Sequence, residues 1–222
     1  MEIKEYFKGW IEVINIKELS KVLKILNTKD KRFLCPQYND IFRAFNLCPY
    51  DNLKVIMIGQ DPYPQKGVAT GILFGNRKEV SEDKLSPSLK VVKKSVLNLE
   101  DSNKRLIFDN TMEEWARQGI LMINAALSCE MNKVGSHTMM WRPFVSKLLD
   151  ALSSKKKHIV YVLFGNVAQS FENHIADDNK VIKIEHPAYF ARIKKDMPNN
   201  LFTAINDYLE INNKIPVKWY RY

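Results

Sequence analysis

Four short apolar runs constrain the fold of this chain more than any other feature of its sequence. They occupy residues 54–58, 120–123, 159–164 and 181–184, and each is rich in Val, Ile, Leu, Met or Phe. None of them alternates between apolar and polar residues, and this is typical of strands that are buried on both faces. Such strands belong to a parallel sheet that helices cover on both sides.

Stretches with helical spacing separate these runs. They cover residues 89–99, 111–118, 142–152 and 167–175, and each is long enough for the crossover between two parallel strands. A further helix is predicted over 16–26, because Leu19, Val22, Leu23 and Leu26 share one face. The sequence therefore predicts an α/β fold with a central four-stranded, mainly parallel sheet and helices on both faces.

The length and the charge of the chain limit its organisation and its partners. The 222 residues predict a single domain over 1–222, with residues 1–50 as an outer helical layer, since no repeat, linker or shift in composition divides them. Lys and Arg number 34 against 25 Asp and Glu, so the net charge is +9. A basic chain favours a polyanionic partner such as nucleic acid.

Cysteine usage and hydropathy indicate the compartment. Cys35, Cys48 and Cys129 form no C-x-x-C pair, which argues against a disulfide framework and against a zinc site. No apolar run approaches the roughly 18 residues of a membrane span, and the charged residues 1–10 do not resemble a signal peptide. We expect an intracellular protein without metal or cofactor, cytoplasmic, or nuclear or within a host cell depending on its source.

Polar residues follow each of the four predicted strands. In open α/β sheets, ligands bind at the carboxyl ends of the strands. The residues found there are Gly59-Gln60-Asp61-Pro62-Tyr63, Asn124, Gly165-Asn166 and His186-Pro187. The sequence therefore predicts that a carboxylate, an amide and an imidazole converge at one edge of the sheet.

These residues also lie in motifs that resemble a known family. The motifs are Gly59-Gln60-Asp61-Pro62-Tyr63, Ala69-x-Gly71-x-x-Phe74, Pro87-Ser88-Leu89, Gln118-Gly119-Ile120-Leu121 with Asn124, and His186-Pro187. In order and spacing they resemble family 1 uracil-DNA glycosylases, which remove uracil from DNA. The resemblance extends from about residue 51 to the carboxyl-terminal segment 215–219, roughly three quarters of the chain.

The resemblance implies a monofunctional enzyme that hydrolyses the N-glycosidic bond of uracil in single- and double-stranded DNA. The base would be flipped out of the helix, and the products would be free uracil and an abasic site. Asp61 and His186 would be catalytic: Asp61 orients water and stabilises the cationic sugar, and His186 donates to uracil O2. Cleavage places positive charge on the sugar and negative charge on the base, so these residue types suit it. We expect His186 to be neutral, because burial lowers the pKa of histidine.

The same resemblance implies four substrate-binding residues: Gln60, Tyr63, Phe74 and Asn124. The Asn124 amide can both donate and accept, which suits the O4 and N3–H edge of uracil, and cytosine presents the opposite pattern. Thymine differs from uracil by a methyl group, so its exclusion depends on shape. Tyr63 would provide this steric gate, and the flipped base would stack on Phe74.

Seven residues are expected to contact DNA by resemblance: Pro87, Ser88, Gly165, Asn166, Ala188, Phe190 and Arg192. Phe190 stands where the family has an intercalating leucine, and an aromatic ring is a suitable wedge for the gap left by the base. The chain departs from the usual family pattern at Ala188, Pro64 and Asn166, where many members have Ser, His and Ser. We expect these changes to alter DNA affinity or strand preference without altering base choice.

The resemblance further implies a monomer and DNA-mimicking inhibitor proteins as possible partners beside DNA itself.

Two alternatives remain open. The fold could serve as a DNA-binding scaffold or polymerase accessory protein, which the changed loop at 188–191 allows. A mismatch-specific relative of the same superfamily is disfavoured, because those relatives typically lack the pair of Asp61 and Tyr63. His137, in a loop that the family shares, is expected to support residues of the site without contacting the substrate itself.

Overall fold

The four apolar runs form one sheet in the computed structural model, which describes residues 3–100 and 105–222. Its strands are Leu34–Cys35 (β1), Val55–Gly59 (β2), Ile120–Asn124 (β3), Cys129–Glu130 (β4), Val160–Phe164 (β5) and Lys180–Ile184 (β6). The central sheet has the order β3-β2-β5-β6, and every neighbouring pair in it is parallel. The predicted four-stranded sheet is therefore confirmed, with boundaries within one residue of those expected.

The described part of the chain also contains nine α-helices. They are Ile3–Phe7 (α1), Ile16–Thr28 (α2), Arg43–Leu47 (α3), Pro87–Leu97 (α4), Glu113–Arg117 (α5), Thr138–Lys155 (α6), Gly165–Gln169 (α7), Pro187–Ile193 (α8) and Asn200–Ile211 (α9). The helices predicted over 111–118 and 167–175 are shorter than expected, and the one predicted over 142–152 is longer. Helices α8 and α9 were not predicted. Among the described residues, no helix combines the length and apolar character that crossing a membrane needs.

Successive residues of each central strand enter two different cores. In β2, Ile56 and Ile58 belong to the core that contains the apolar faces of α2 and α6. Val55 and Met57 belong to the second core, which α4 and α9 cover. Both faces of the sheet are thus covered, and this explains why the strand sequences contain no alternating polar residues. Strand β6 lies at the edge of the sheet, and its Lys180 and Lys183 are exposed.

The residues before β2 cover the first core. Helix α2 buries Leu19, Val22 and Leu26, and Asn15 caps its start by accepting from the Glu18 N–H at 3.1 Å. Trp10 packs edge-to-face on Phe45 and Tyr50 and donates its indole N–H to the Cys48 carbonyl at 2.8 Å. Met1 and Glu2 of the predicted outer layer lie outside the described residues.

Strands β1 and β4 form a small antiparallel sheet that the sequence did not reveal. Leu34 is paired with Glu130, and Cys35 with Cys129. Two-residue strands carry no periodic pattern, so no sequence signal could have predicted them. Both cysteine sulfurs contact the loop that follows β2, with Cys35 Sγ at 3.4 Å from the Pro64 oxygen and Cys129 Sγ at 3.6 Å from the Pro62 oxygen.

Candidate active site

A cavity of about 240 Å³ opens at the carboxyl edge of the central sheet. Ligands of open α/β sheets bind at this edge. The residues predicted for catalysis and substrate binding all line the cavity: Gln60, Asp61, Tyr63, Phe74, Asn124 and His186. Ser88 and Ala188, two of the predicted DNA contacts, line it as well. The fold thus brings a carboxylate, two amides, an imidazole and two aromatic rings around one space.

Asp61 presents one bonded and one free carboxylate oxygen. Its Oδ2 accepts a hydrogen bond from the Gly135 N–H at 3.1 Å. Its Oδ1 is buried and has no hydrogen-bond partner among the described residues. Burial raises the pKa of Asp61 above its usual value, and the neighbouring Gln60 side chain and the Gly135 N–H oppose that shift. A buried carboxylate oxygen without a partner needs a donor, and a water molecule or a substrate can provide it.

His186 presents a neutral imidazole with its donor on Nε2. The residue caps helix α8, and its Nδ1 accepts the Ala188 N–H at 3.2 Å. A ring nitrogen that accepts a hydrogen bond carries no proton, so the proton of the neutral ring is on Nε2. Burial lowers the pKa of His186 to about 4, and the ring is therefore neutral at pH 7. In the cavity it can donate a hydrogen bond without carrying a charge.

Asn124 ends β3 directly beside Gly59, its register partner in β2. The Asn124 Oδ1 is buried and has no hydrogen-bond partner among the described residues. A Cβ atom at Gly59 would lie 2.8 Å from this oxygen, 3.7 Å from His186 Nε2 and 2.4 Å from Leu73 Cδ1. The amide and the imidazole therefore both approach the space that a side chain at position 59 would occupy. Glycine at this position keeps that space open.

Phe74 is held in a backbone conformation that residues other than glycine rarely adopt. Its φ angle is 63°, and such positions concentrate at functional sites. The Tyr63 hydroxyl donates to the Phe74 carbonyl at 3.3 Å. The Phe74 ring meets the rings of Phe164 and His186 edge-on, with centroids 5.1 Å and 5.5 Å apart. The two predicted aromatic residues of the site are thus bonded to each other, and Phe74 also contacts the imidazole.

Asn76 and Gly135 support the cavity, and sequence reasoning missed both. Asn76 is 2% exposed, donates to Ser86 Oγ at 2.9 Å and accepts from the Ser86 N–H at 2.7 Å. This pair of bonds fixes the start of α4, where Ser88 is buried and Pro87 is exposed. Gly135 acts through its backbone N–H, which no side-chain pattern can reveal. A single asparagine likewise carries no sequence signal of its own.

Gly165, Asn166 and Ala188, three of the predicted DNA contacts, lie at the starts of α7 and α8. Asn166 is exposed, and Gly165 has a φ of 76° and packs closely on His186, since a Cβ there would lie 3.2 Å from the His186 Cβ. Ala188 is exposed at the cavity, and Pro64, at the position of the family histidine, lines the same cavity.

Helix α8 places its two aromatic residues in different environments. Phe190 is half-buried and packs against the second core. Tyr189 is 39% exposed and meets the Phe190 ring edge-on at 5.6 Å. The exposed Arg192 has its guanidinium 5.6 Å from the centre of the Tyr189 ring. The Tyr189 ring is thus more accessible to solvent than the half-buried ring of Phe190, the predicted wedge.

Comparisons with known proteins identify the family of this chain. The family model described as the Uracil DNA glycosylase superfamily matches residues 45–210. The uracil-DNA glycosylase of Campylobacter jejuni subsp. jejuni serotype O:23/36 (strain 81-176) is 35% identical over 220 residues, which cover 97% of this chain and 91% of the relative.

Solved structures show the same fold at lower sequence identity. The crystal structure of mimivirus uracil-DNA glycosylase has a TM-score of 0.74 and 20% identity, and the match covers 98% of this chain and 91% of that one. A variant of the mimivirus protein, solved in complex with UGI, has a TM-score of 0.75 and 21% identity, with 98% and 94% covered. The narrower assignment to family 1 stays a prediction. The chain belongs to the uracil DNA glycosylase superfamily and is an enzyme of the class that hydrolyses N-glycosyl bonds.

Proposed function

We propose that this enzyme cleaves the N-glycosidic bond of uracil in single- and double-stranded DNA, releases free uracil and leaves an abasic site. The observation that carries the proposal is the pairing of Asp61 with His186 in one cavity. Asp61 offers a buried carboxylate oxygen without a hydrogen-bond partner among the described residues, and His186 offers a neutral N–H donor. Family membership and the motifs of the chain point to the same substrate.

In the proposed reaction, the bond between the sugar C1′ and the base N1 breaks, and its electron pair leaves with the base. The fixed negative charge of Asp61 stabilises the cationic sugar, and its carboxylate oxygen accepts a hydrogen bond from the attacking water. The water oxygen bonds to C1′, and its proton passes to the carboxylate. His186 Nε2–H donates to O2 of the departing uracil anion, where negative charge gathers.

We infer that base choice depends on Asn124 and Tyr63. The free Asn124 Oδ1 would accept from uracil N3–H, and the amide nitrogen would donate to O4. Cytosine would leave these groups unpaired, and sites built on such hydrogen bonds reject mismatched analogues by up to about 10⁴- to 10⁵-fold. The Tyr63 ring would exclude the C5 methyl group of thymine. Phe74 would provide the face on which the base stacks.

The base is inaccessible inside a duplex, so the enzyme must rotate it out at a cost of a few kcal/mol. We propose that contacts to the flanking phosphates and sugars repay this cost. The candidates at the rim are Pro87, Ser88, Gly165, Asn166, Ala188 and Arg192. A surface that binds DNA in this way would also bind an acidic protein that mimics DNA. The complex of the mimivirus variant with UGI supports that second partner.

The test is uracil release by the purified protein from oligonucleotides that carry one uracil, single-stranded and as duplexes. Free uracil should appear from both, and a matched oligonucleotide with cytosine in place of uracil should yield no free base. Asp61→Asn keeps the size of the side chain but removes its charge, and it should lower the rate by about 10³-fold or more. Absence of uracil release by excess wild-type enzyme from either substrate would overturn the proposal.

A further inference from the structure

The loop that follows β2 is bound along its length to the segment after β3. The Ala125 N–H donates to the Gly59 carbonyl at 2.9 Å, and the Ala126 N–H donates to the Gln60 carbonyl at 3.1 Å. Farther along, the Asn132 N–H donates to the Pro64 carbonyl at 2.9 Å, and the Gly135 N–H donates to Asp61 Oδ2 at 3.1 Å. These bonds fix the backbone that carries Asp61 and Tyr63.

Thiols complete this set of bonds on both sides of Tyr63. Cys129 Sγ donates to the Pro62 carbonyl at 3.6 Å, and Cys35 Sγ donates to the Pro64 carbonyl at 3.4 Å. Proline has no backbone N–H, so residues 62 and 64 can take part in hydrogen bonds only as acceptors. The carbonyls of the two prolines on either side of Tyr63 thus each accept from a cysteine thiol, and the Pro64 carbonyl also accepts the Asn132 N–H.

Cys35 and Cys129 are buried side by side next to Tyr63. Cys35 and Cys129 are register partners in the small antiparallel sheet, and they are 3% and 0% exposed. With Ala69 they make a separate apolar cluster, and Tyr63 packs against it. The thiols thus contact the backbone on both sides of Tyr63, and their cluster also supports its ring. Cysteine combines a weak donor with a small apolar body, which suits both contacts.

We propose that Cys35 and Cys129 are positioning residues that make the Tyr63 gate rigid and thereby contribute to the exclusion of thymine. The inference rests on the proposed function, in which Tyr63 meets the position of the C5 methyl group. The Tyr63 ring can exclude one methyl group only if the ring cannot move, because a side chain that shifts lowers the steric cost of accommodating the methyl group. Weakening the support of the loop should therefore admit thymine before it slows uracil release.

The test compares substitutions that keep the volume with substitutions that keep the donor. Cys129→Val and Cys35→Val preserve an apolar side chain of similar size but remove the thiol donor, whereas Cys129→Ser and Cys35→Ser retain a donor. Rates of uracil and thymine release are measured on single-stranded oligonucleotides that differ only in the target base. Each Val variant should lower the uracil-to-thymine ratio about 3- to 10-fold, the range expected for one hydrogen bond. The Ser variants should stay within about twofold of wild type.

Cys48 provides the matched control. It is 1% exposed and lies in the first core, away from the loop that follows β2. Cys48→Val tests the general effect of replacing a buried thiol and should lower the melting temperature without changing the ratio. Equal ratios in the Cys35, Cys129 and Cys48 variants would overturn the inference, as would loss of discrimination in the Ser variants. If the Val variants do not fold, the uracil-to-thymine ratios of Ala and Ser variants at positions 35 and 129 are compared instead. The Ala variants should then lower the ratio, and the Ser variants should not. Wild-type protein that releases no uracil would instead refute the proposed function itself.

Discussion

The backbone nitrogen of Ala188 lies 3.2 Å from Nδ1 of His186 and donates to it. This bond serves as the cap of α8 and also fixes the proton of the imidazole on Nε2. A second proton on the ring would have to enter at Nδ1, and the cap would then be lost. The helix start and the burial of the ring therefore both favour the neutral form, and burial lowers the pKa of His186 to about 4.

The first prediction concerns the pH dependence of uracil release. Asp61 must be ionised and His186 neutral, so kcat/KM should fall as the pH drops through their pKa values and stay level above them. Burial raises the pKa of Asp61 and lowers that of His186, so both titrations belong to the acid limb. No inflection from His186 should appear near 6.5, the usual histidine value. A profile from pH 4 to 9 checks this. An inflection near 6.5 that disappears in His186→Gln would contradict the assignment of a neutral donor.

The second prediction is that Gly59→Ala impairs catalysis more than stability. The added Cβ would lie 2.8 Å from Asn124 Oδ1 and 2.4 Å from Leu73 Cδ1, and both are side-chain ends that can shift. The fold should survive, but the amide would be displaced. Displacement of a site group by about 1 Å can lower the rate by about 100-fold. We expect kcat/KM for uracil to fall 10- to 100-fold, within about that limit.

Gly67→Ala is the control for this substitution. Gly67 is exposed, and no atom would lie within 4 Å of its Cβ, although its φ of 75° makes alanine strained. It should lower stability by about 1 kcal/mol and leave uracil release unchanged. Equal effects of the two substitutions on activity would show that the space beside Gly59 is not part of the site.

The third prediction is that Asn76→Ala destabilises the start of α4. It leaves the buried Ser86 N–H without its acceptor, which costs about 1 to 3 kcal/mol. For a chain of this size, each kcal/mol lowers the melting temperature by about 2 to 4 °C. Asn76→Asp keeps an acceptor for Ser86 and should lose less. Thermal unfolding measures both variants, and an unchanged melting temperature in Asn76→Ala would show that the paired bonds add nothing to stability.

The sequence sufficed to predict the central sheet and the residues at its carboxyl edge. Strands β2, β3 and β5 are buried on both faces, and such burial produces continuous apolar runs in the sequence. Asp61, Asn124 and His186 follow three of these strands, so their convergence was predictable from topology. The roles assigned to them here depend on the resemblance and on chemistry, and they stay proposals.

Some of the features that the sequence did not predict have no recognisable pattern in it. Gly135 contributes a backbone N–H, and any residue type has one except proline. Strands β1 and β4 are too short for a pattern. Helix α8 is different, because Pro187 in its first turn is a recognised start signal for a helix. The resemblance instead predicts a loop over residues 188–191 and assigns the wedge to Phe190.

The fourth prediction distinguishes the two aromatic residues of α8. Phe190 packs against the second core, whereas Tyr189 is exposed beside Ala188 at the cavity. A side chain that enters the gap left by a flipped base must be accessible, and single strands require no wedge. Tyr189→Ala should therefore lower kcat/KM on duplex DNA by about 10-fold, the effect of about 1.4 kcal/mol, and change it little on single strands. Uracil release from matched single-stranded and duplex oligonucleotides measures both effects.

Phe190→Ala is the partner of this experiment, because it removes an aromatic ring of the same helix. Its loss should leave a cavity and lower the melting temperature, with equal effects on the two substrates. Tyr189→Phe should behave as wild type, since it keeps the ring that stacks. If Phe190→Ala is instead the variant that loses duplex activity selectively, then α8 must rearrange on DNA and turn Phe190 out of the core. In that case the wedge would be Phe190, as the resemblance implies, and the free enzyme would not have the conformation that binds the duplex.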